Sequence, residues 1–252
     1  MKAIVELKNT TKVVTNGFNE ERVILDKVNL SIYQGDFITI LGGNGAGKST
    51  LFNVIAGTLP LTSGSVHILG EDVTNWPAEK RAKYLARVFQ DPKMGTSPRM
   101  TVAENLLIAK YRGEGRGLVP RKLSQQKEEF AQLLPRVGNG LEKHLETPAG
   151  LLSGGQRQAL SLLMASLKQP ELLLLDEHTA ALDPKTSQSL MQLTDELIAT
   201  KGMTALMVTH QMEDALRHGN RLIVMKNGQI IQDQTAEEKS KMKLEDYYKL
   251  FD

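Results

Sequence analysis

The sequence predicts an α/β fold with a mainly parallel sheet, and three observations favour this class. An apolar run at 37–41 leads through a glycine-rich loop at 42–50 into a helical pattern. Further apolar runs at 171–176 and 203–209 are almost continuous, which is typical of strands buried on both faces of a parallel sheet. Helical patterns lie between these strands, as the crossover connections of parallel strands require.

The elements of the first ninety or so residues follow from hydrophobic periodicity and turn signals. Strands are predicted at 3–7, 28–33, 37–41, 66–69 and 85–89. Helices are predicted at 51–56 and at 78–84, the first of them ended by Gly57 and Pro60. The polar stretch 13–21 separates the first two strands and contains Asn16-Gly17, a turn signal.

After Pro92 the strands give way to helical patterns, which are predicted at 102–109, 124–137 and 155–168. We interpret residues 91–168 as a helical subdomain inserted into one domain that spans 1–252. The α/β pattern then returns with strands at 171–176 and 203–209, and with a helix at 184–199 that has proline in its first turn. A hairpin is predicted at 221–226 and 229–233, followed by a charged helical tail at 236–252.

Composition excludes several functional classes. The chain has 252 residues, 40% of them hydrophobic, which is enough for a sizeable core. Its 31 Lys and Arg residues nearly balance its 29 Asp and Glu residues, so we expect no basic face for nucleic acid. The absence of cysteine removes disulfides and thiolate chemistry. No window approaches the ~20 apolar residues of a membrane span, and the N-terminus does not resemble a signal peptide, so any membrane role should be peripheral.

The glycine-rich loop is predicted to bind phosphate. Gly42, Gly47, Lys48 and Ser49 fit G-x-x-x-x-G-K-[ST] within the stretch T-I-L-G-G-N-G-A-G-K-S-T. Glycines let successive backbone N–H groups surround the β- and γ-phosphates, while Lys48 would neutralise phosphate oxygens and Ser49 would ligate Mg²⁺. The positive end of the following helix points at the same anion. A glycine turn that merely opens a helix is the alternative.

Polar side chains also follow other predicted strands. Asp176 and Glu177 end the strand 171–176, where an open α/β sheet places its ligands. One carboxylate can hold Mg²⁺ through water and the other can orient a water toward the γ-phosphate, although such a pair can also be a helix cap. His210 and Gln90 follow two other strands, and each alone would more often be structural.

A second anion-binding helix terminus is predicted at Leu152-Ser153-Gly154-Gly155-Gln156. Ser153 would cap the helix that follows, and the two glycines would leave its first N–H groups open to an anion. The alternative is a capped helix with a glycine entry. A dimer would explain two such sites beside one nucleotide loop, because each serine-glycine terminus could close over the γ-phosphate held by the partner's loop.

Together these motifs resemble the nucleotide-binding subunit of an ATP-binding cassette (ABC) transporter. The resemblance rests on G-G-N-G-A-G-K-S-T, Gln90, L-S-G-G-Q-R-Q, L-L-L-L-D-E, A-A-L-D and His210, in this order and spacing, and covers essentially the whole chain. It implies a P-loop NTPase core of the RecA-like type, with a mainly parallel sheet, an antiparallel β subdomain and the inserted helical subdomain. It also implies ATP and Mg²⁺ as cofactors.

The resemblance assigns roles to the residues at matching positions. ATP would be bound by Gly42, Gly43, Asn44, Gly45, Ala46, Gly47, Lys48, Ser49 and Thr50, and its γ-phosphate would be sensed by Gln90. Mg²⁺ would be held by Ser49, Gln90 and Asp176. Glu177 would be the general base, and His210 would contact the γ-phosphate. The partner's ATP would be reached by Ser153, Gly154, Gly155 and Gln156, with Asp183 at the dimer seam.

The implied activity is ATP hydrolysis coupled to transport. The expected partners are a second ATPase subunit, membrane-spanning permease subunits and an extracytoplasmic substrate-binding protein, with this chain peripheral on the cytoplasmic face of the membrane. R-V-F-Q-D-P-K-M-G-T and L-L-L-L-D-E-H-T-A-A-L-D-P-K-T are similar to importer ATPases for aromatic amino acids, in a class that also includes branched-chain importers. Export, a non-transport ABC ATPase and a small-molecule kinase are the alternatives.

Two positions depart from the family pattern. The aromatic residue that stacks on adenine in such proteins has no unmistakable counterpart, and Phe18 is the best candidate. His178 stands where many relatives carry proline or a small residue, which we interpret as a packing variation.

Overall fold

A computed structural model describes residues 2–15, 17, 20–114, 123–138, 140–242 and 245–246. The strands are β1 (Ala3–Thr15), β2 (Glu21–Tyr33), β3 (Phe37–Gly42), β4 (Ser63–Ile68), β5 (Glu71–Asp72), β6 (Leu85–Val88), β7 (Leu172–Asp176), β8 (Ala205–Val208), β9 (Arg221–Lys226) and β10 (Gln229–Thr235). The α-helices are α1 (Lys48–Ala56), α2 (Ala78–Arg81), α3 (Val102–Lys110), α4 (Leu123–Leu133), α5 (Gly154–Ser166), α6 (Pro184–Lys201), α7 (Met212–Arg217) and α8 (Ala236–Lys241). Short 3₁₀ helices cover 134–136, 141–143 and 149–151.

The central sheet has six strands in the order β10-β9-β3-β8-β7-β6. All neighbours pair in parallel except β10, which forms an antiparallel hairpin with β9. The parallel strands therefore end at one edge, where Val208 of β8 lies level with Ile40 of β3 and with Asp176 of β7. This common edge positions the candidate site.

Two layers cover the central sheet. On one face, α1 and an antiparallel sheet of order β2-β1-β4-β5 share a buried cluster with β3, to which Val5, Ile40 and Phe52 belong. The other face packs against α3, α5 and α6. Every residue of β3 and β8 is buried, as expected for the middle of such a sandwich.

The predicted α/β class and nearly all predicted elements are confirmed, with differences at their ends. β1 and β2 are longer than predicted because they pair along their full length, from Ala3 with Tyr33 to Thr15 with Glu21. α1 begins three residues earlier than predicted, and α4 stops at Leu133 where the chain tightens into a 3₁₀ turn. β5 and α7 were not predicted. The Asn16-Gly17 turn and most of the predicted helical tail beyond residue 242 lie outside the described residues.

Arg81 anchors the helix that follows the glycine-rich loop. Its side chain is 2% exposed and donates hydrogen bonds to four backbone carbonyl oxygens. Two of these, Val54 O at 2.7 Å and Ile55 O at 2.9 Å, belong to the last turn of α1, whose carbonyls lack the usual i+4 partners; Val54 O also accepts from the N–H of Gly57 at 3.2 Å. Arg81 therefore holds the far end of α1 in place.

A second buried cation lies near the C-terminus. Lys239 of α8 is 5% exposed, and its ammonium donates to the backbone carbonyls of His218 and Gly219. Burial lowers the pKa of Lys239 to about 8.

Among the helices that the structure describes, none combines the length and the hydropathy that a membrane span needs.

Candidate nucleotide-binding site

The glycine-rich loop connects the end of β3 to the start of α1. Gly47 has φ +99°, in the left-handed region, and a Cβ built there would lie 2.7 Å from the carbonyl oxygen of Ile24 and 2.9 Å from Leu25. Only glycine fits this position. Because Gly47 also provides the N-cap of α1 without a side-chain hydrogen bond, the first N–H groups of the helix are left for an anion.

Lys48 turns back over the loop. Its ammonium donates hydrogen bonds to the carbonyl oxygens of Gly42 at 2.6 Å and Gly43 at 3.1 Å, and the residue is 5% exposed. Burial lowers the pKa of Lys48, whereas the nearby carboxylates of Glu177 and Asp176 oppose this shift. The structure therefore brings Lys48 and the two candidate carboxylates close enough to interact electrostatically.

Asp176 ends β7 and forms an ion pair with Arg87 of β6. The two side chains are 13% and 14% exposed. The same guanidinium donates a 2.7 Å hydrogen bond to Oδ1 of Asn53 on α1 and lies 4.8 Å from the ring of Phe89. Arg87 was not among the site residues predicted from the sequence. The only sign of its role there was that a single arginine interrupts the apolar run 85–89. It ties the candidate metal carboxylate to the helix behind the loop.

Glu177 and His210 meet at the carboxyl edge of the sheet. Oε1 of Glu177 lies 2.5 Å from Nε2 of His210, and the glutamate side chain is 10% exposed. The backbone of Glu177 has φ +47°, which is uncommon for a residue other than glycine, and its N–H donates to the carbonyl oxygen of Val208 at 3.1 Å. Such local strain is typical of functional sites.

A cavity of about 490 Å³ adjoins the loop. Its walls are the loop residues 42–46, Arg22 of β2, His210 and Met212 near α7, and Lys226-Asn227 of the β9–β10 hairpin. The predicted phosphate loop and the predicted His210 thus line one cavity. Arg22, which was not among the predicted site residues, lines the same cavity.

The serine-glycine segment forms a separate site at the start of α5. Ser153 and Gln156 make a capping box, in which each side chain accepts from the other residue's backbone N–H at 3.1–3.2 Å. A Cβ at Gly155 would lie 2.4 Å from Cγ2 of Thr186, so α5 and α6 begin in close contact. Asp183 caps α6 by accepting from the N–H of Thr186, and hydrogen bonds from the side chain and the N–H of Thr186 lower the pKa of Asp183.

These two helix starts line a second cavity of about 380 Å³, formed by 153–156, 181–183 and Thr186. No residue lines both this cavity and the one beside the glycine-rich loop. Within one chain, the serine-glycine segment and the loop therefore belong to different cavities.

Two further predicted positions can be placed, Gln90 and His178. Gln90 is exposed just beyond the end of β6 and lines neither cavity, although the carbonyl of the preceding Phe89 accepts from Gln158 of α5 at 2.8 Å. His178 is 2% exposed and lies 3.0 Å from Oγ1 of Thr194, and burial lowers its pKa to about 4. This neutral, buried ring fits the packing role expected from the sequence. Phe18 lies outside the described residues.

The donor set fits Mg²⁺ shared with a nucleotide. Ser49, Asp176 and Gln90 offer hydroxyl, carboxylate and amide oxygens, the ligand types that Mg²⁺ prefers. The described residues contain no group of three or more His, Cys, Asp or Glu side chains that could hold a metal by themselves. Ser49, Gln90 and Asp176 would therefore share the metal with phosphate oxygens and water.

A strand, a phosphate-binding glycine loop with a buried lysine, and an acidic neighbouring strand end together define a P-loop nucleotide-binding ATPase. Within that class, residues 25–180 match the ABC transporter family. The chain belongs to this family, and it is an ATP-binding transport ATPase with the RecA-like core and helices expected from the sequence.

Individual relatives agree with this assignment. The chain is 41% identical over 249 residues to a tyrosine transport ATP-binding protein of Clostridioides difficile, with 99% of each chain covered. It is 38% identical over 242 residues to the spermidine/putrescine import ATP-binding protein PotA of Haemophilus ducreyi, covering 94% of this chain and 59% of that longer relative. Among solved structures, the dimeric ATP-binding cassette MJ0796 in a post-hydrolysis state with ADP and Pi superimposes with a TM-score of 0.76 at 29% identity, covering 92% of this chain and 98% of that one.

Proposed function

We propose that two copies of this chain enclose two Mg-ATP molecules and use their hydrolysis to drive import of a small solute across a membrane. In each composite site, one copy provides the glycine-rich loop and the partner provides the serine-glycine segment. The observation that carries this proposal is the separation of the two cavities, which share no residue: one is lined by the glycine-rich loop that leads into α1, and the other by the N-termini of α5 and α6. A dimer brings the two kinds of cavity together, and the cassette MJ0796 has been solved as a dimer.

In the proposed reaction, water attacks the γ-phosphorus while the bond to the β–γ bridging oxygen breaks. Glu177 takes the proton of this water, and His210, 2.5 Å from Oε1, orients the carboxylate and contacts the γ-phosphate. Lys48 exchanges its carbonyl partners for phosphate oxygens. Asp176, Ser49 and Gln90 would hold Mg²⁺, which when bound would neutralise phosphate charge. Loss of the γ-phosphate then removes the anion that joins the two copies, so the dimer opens.

The proposed partners follow from the family and its relatives. Permease subunits would carry the solute, and the ATPase would dock peripherally on their cytoplasmic face, with an extracytoplasmic binding protein delivering the solute. The full-length similarity to a tyrosine transport protein favours an aromatic amino acid, with branched-chain amino acids as the second choice. The polyamine relative is named as an import protein, which favours import over export.

Dimerisation is tested with Glu177→Gln, which keeps the shape of the side chain but cannot accept the proton. We expect this variant with ATP to elute as a dimer in size-exclusion chromatography with light scattering. Adding Lys48→Ala should return it to a monomer, and Glu196→Gln on the exposed side of α6 should behave as wild type. A monomer at every concentration in the presence of ATP would contradict the proposal.

The substrate is tested in membranes. The ATPase is copurified with its permease subunits, reconstituted in vesicles, and assayed for uptake of labelled tyrosine, leucine and spermidine with the copurifying binding protein. Tyrosine-stimulated ATP hydrolysis and uptake are expected. Stimulation by leucine alone, or outward transport, would replace the aromatic-importer assignment.

A further inference from the structure

Arg22 of β2 reaches the candidate nucleotide cavity from outside the phosphate loop. It pairs in register with Val14 of β1, so both side chains project from the same face of the β1–β2 hairpin. Its guanidinium lines the cavity, and Nη2 lies 3.6 Å from the position that a Cβ on Gly45 would occupy. The hairpin thus extends one long side chain toward the middle of the loop.

The guanidinium of Arg22 is exposed, and no hydrogen bond or ion pair joins it to any residue that the structure describes. This differs from Arg81, Arg87 and Arg221, each of which has several polar partners. An unpaired, exposed arginine beside a cavity is available to a ligand.

The part of the nucleotide that Arg22 can contact follows from the parts that the other groups of the site are placed to bind. Lys48 and the open N–H groups of α1 are placed for the phosphates. No Phe, Tyr or Trp side chain belongs to the described residues that line the cavity, and its one imidazole, that of His210, is paired with Glu177. A guanidinium is planar, weakly hydrated and stacks well on aromatic rings, and it is attracted to their faces within about 6 Å.

We propose that Arg22 binds the base of the nucleotide by stacking its guanidinium on the ring, with Val14 providing an apolar neighbour on the same hairpin face. Val14 is 39% exposed and would be covered by the base. This inference rests on the proposed binding of ATP at the glycine-rich loop and assigns the base contact within that site.

The test compares binding of ATP and of inorganic triphosphate by calorimetry in four variants of the full chain. Arg22→Ala should weaken ATP binding about tenfold, the scale of one lost base-stacking contact, and leave triphosphate binding unchanged. Arg22→Trp should restore ATP binding because it keeps a flat stacking surface. Arg22→Lys should not, since it keeps the charge but loses the plane. Arg99→Ala, an exposed arginine outside both cavities, is the matched control.

Two results would overturn the inference. Rescue by lysine with equal losses for ATP and triphosphate would make Arg22 a phosphate contact. An unchanged Arg22→Ala accompanied by a large loss in Phe18→Ala would assign the base to Phe18. Lys48→Ala tests the proposed function separately from the role of Arg22. If Lys48→Ala left the affinity for ATP unchanged, nucleotide binding at the glycine-rich loop itself would be rejected.

Discussion

Removing the charge of Arg87 should destabilise the nucleotide-free protein through Asp176. Arg87→Met keeps an unbranched side chain that can still pack beside Phe89, so the loss is mainly the ion pair and the 2.7 Å hydrogen bond to Asn53. Removing one member of a buried pair costs about 3–5 kcal/mol because the other charge stays buried. Both side chains keep a little exposure and Lys48 still attracts Asp176, so we expect about 3 kcal/mol.

A double-mutant cycle measures the interaction between the two residues. Asp176→Asn alone should cost about 1–2 kcal/mol, since it leaves Arg87 without its carboxylate partner. The double variant should cost no more than Arg87→Met alone, which gives a coupling free energy of at least about 1–2 kcal/mol. Asn53→Ala isolates the neutral hydrogen bond and should cost about 1 kcal/mol.

The assay is equilibrium urea unfolding followed by circular dichroism, with thermal melts as a second measurement. At about 2–4 °C per kcal/mol for a chain of this size, Arg87→Met should lower Tm by roughly 6–12 °C. Single-variant effects that add within about 0.5 kcal/mol would refute the reasoning, because they would mean that Arg87 and Asp176 do not stabilise each other.

Three other predictions concern residues outside this pair. Gly47→Ala should abolish ATP binding measured by calorimetry, because its Cβ would lie 2.7 Å from the carbonyl of Ile24 at φ +99°, and retained affinity would contradict this. Arg81→Met should lower the free energy of unfolding by about 3–5 kcal/mol in urea melts, since four backbone carbonyls lose a charged donor. A loss below about 1 kcal/mol would be inconsistent with this role of Arg81. Because burial lowers the pKa of Lys239 to about 8, the folded protein binds fewer protons than the unfolded chain between pH 8 and 10, so stability should rise across this window. Lys239→Met should flatten that rise, and an identical pH profile would argue against it.

The sequence predicted the elements that carry a strong local signal. The strands 171–176 and 203–209 are continuous apolar runs, and the loop at 42–50 has a spacing that few other structures require. The short helix α7 has only six residues, which is less than two turns of periodicity, and β5 has two residues. Elements this short form because of the segments they pack against or pair with. Their own residues show too little periodicity to predict them.

Contacts between distant residues could not be predicted. Arg87 and Asp176 are 89 positions apart and meet because β6 and β7 are adjacent in the sheet. Arg22 reaches the loop because β1 and β2 continue to pair as far as Thr15 and Glu21, whereas the sequence predicted only a polar stretch with a turn signal at 13–21. The unpredicted members of the site are thus side chains placed by strand pairing.

The capping box at the start of α5 sets a threshold for assembly. In the nucleotide-free subunit, Ser153 satisfies the N–H of Gln156, which is one of the N–H groups of the first turn of α5 that have no helical acceptor. In the proposed dimer, a γ-phosphate from the second copy that takes this N–H must bind it more strongly than the serine hydroxyl, whose capping is worth about 1 kcal/mol. The cap would therefore oppose closure by about that amount, and after hydrolysis the serine would cap the helix end again.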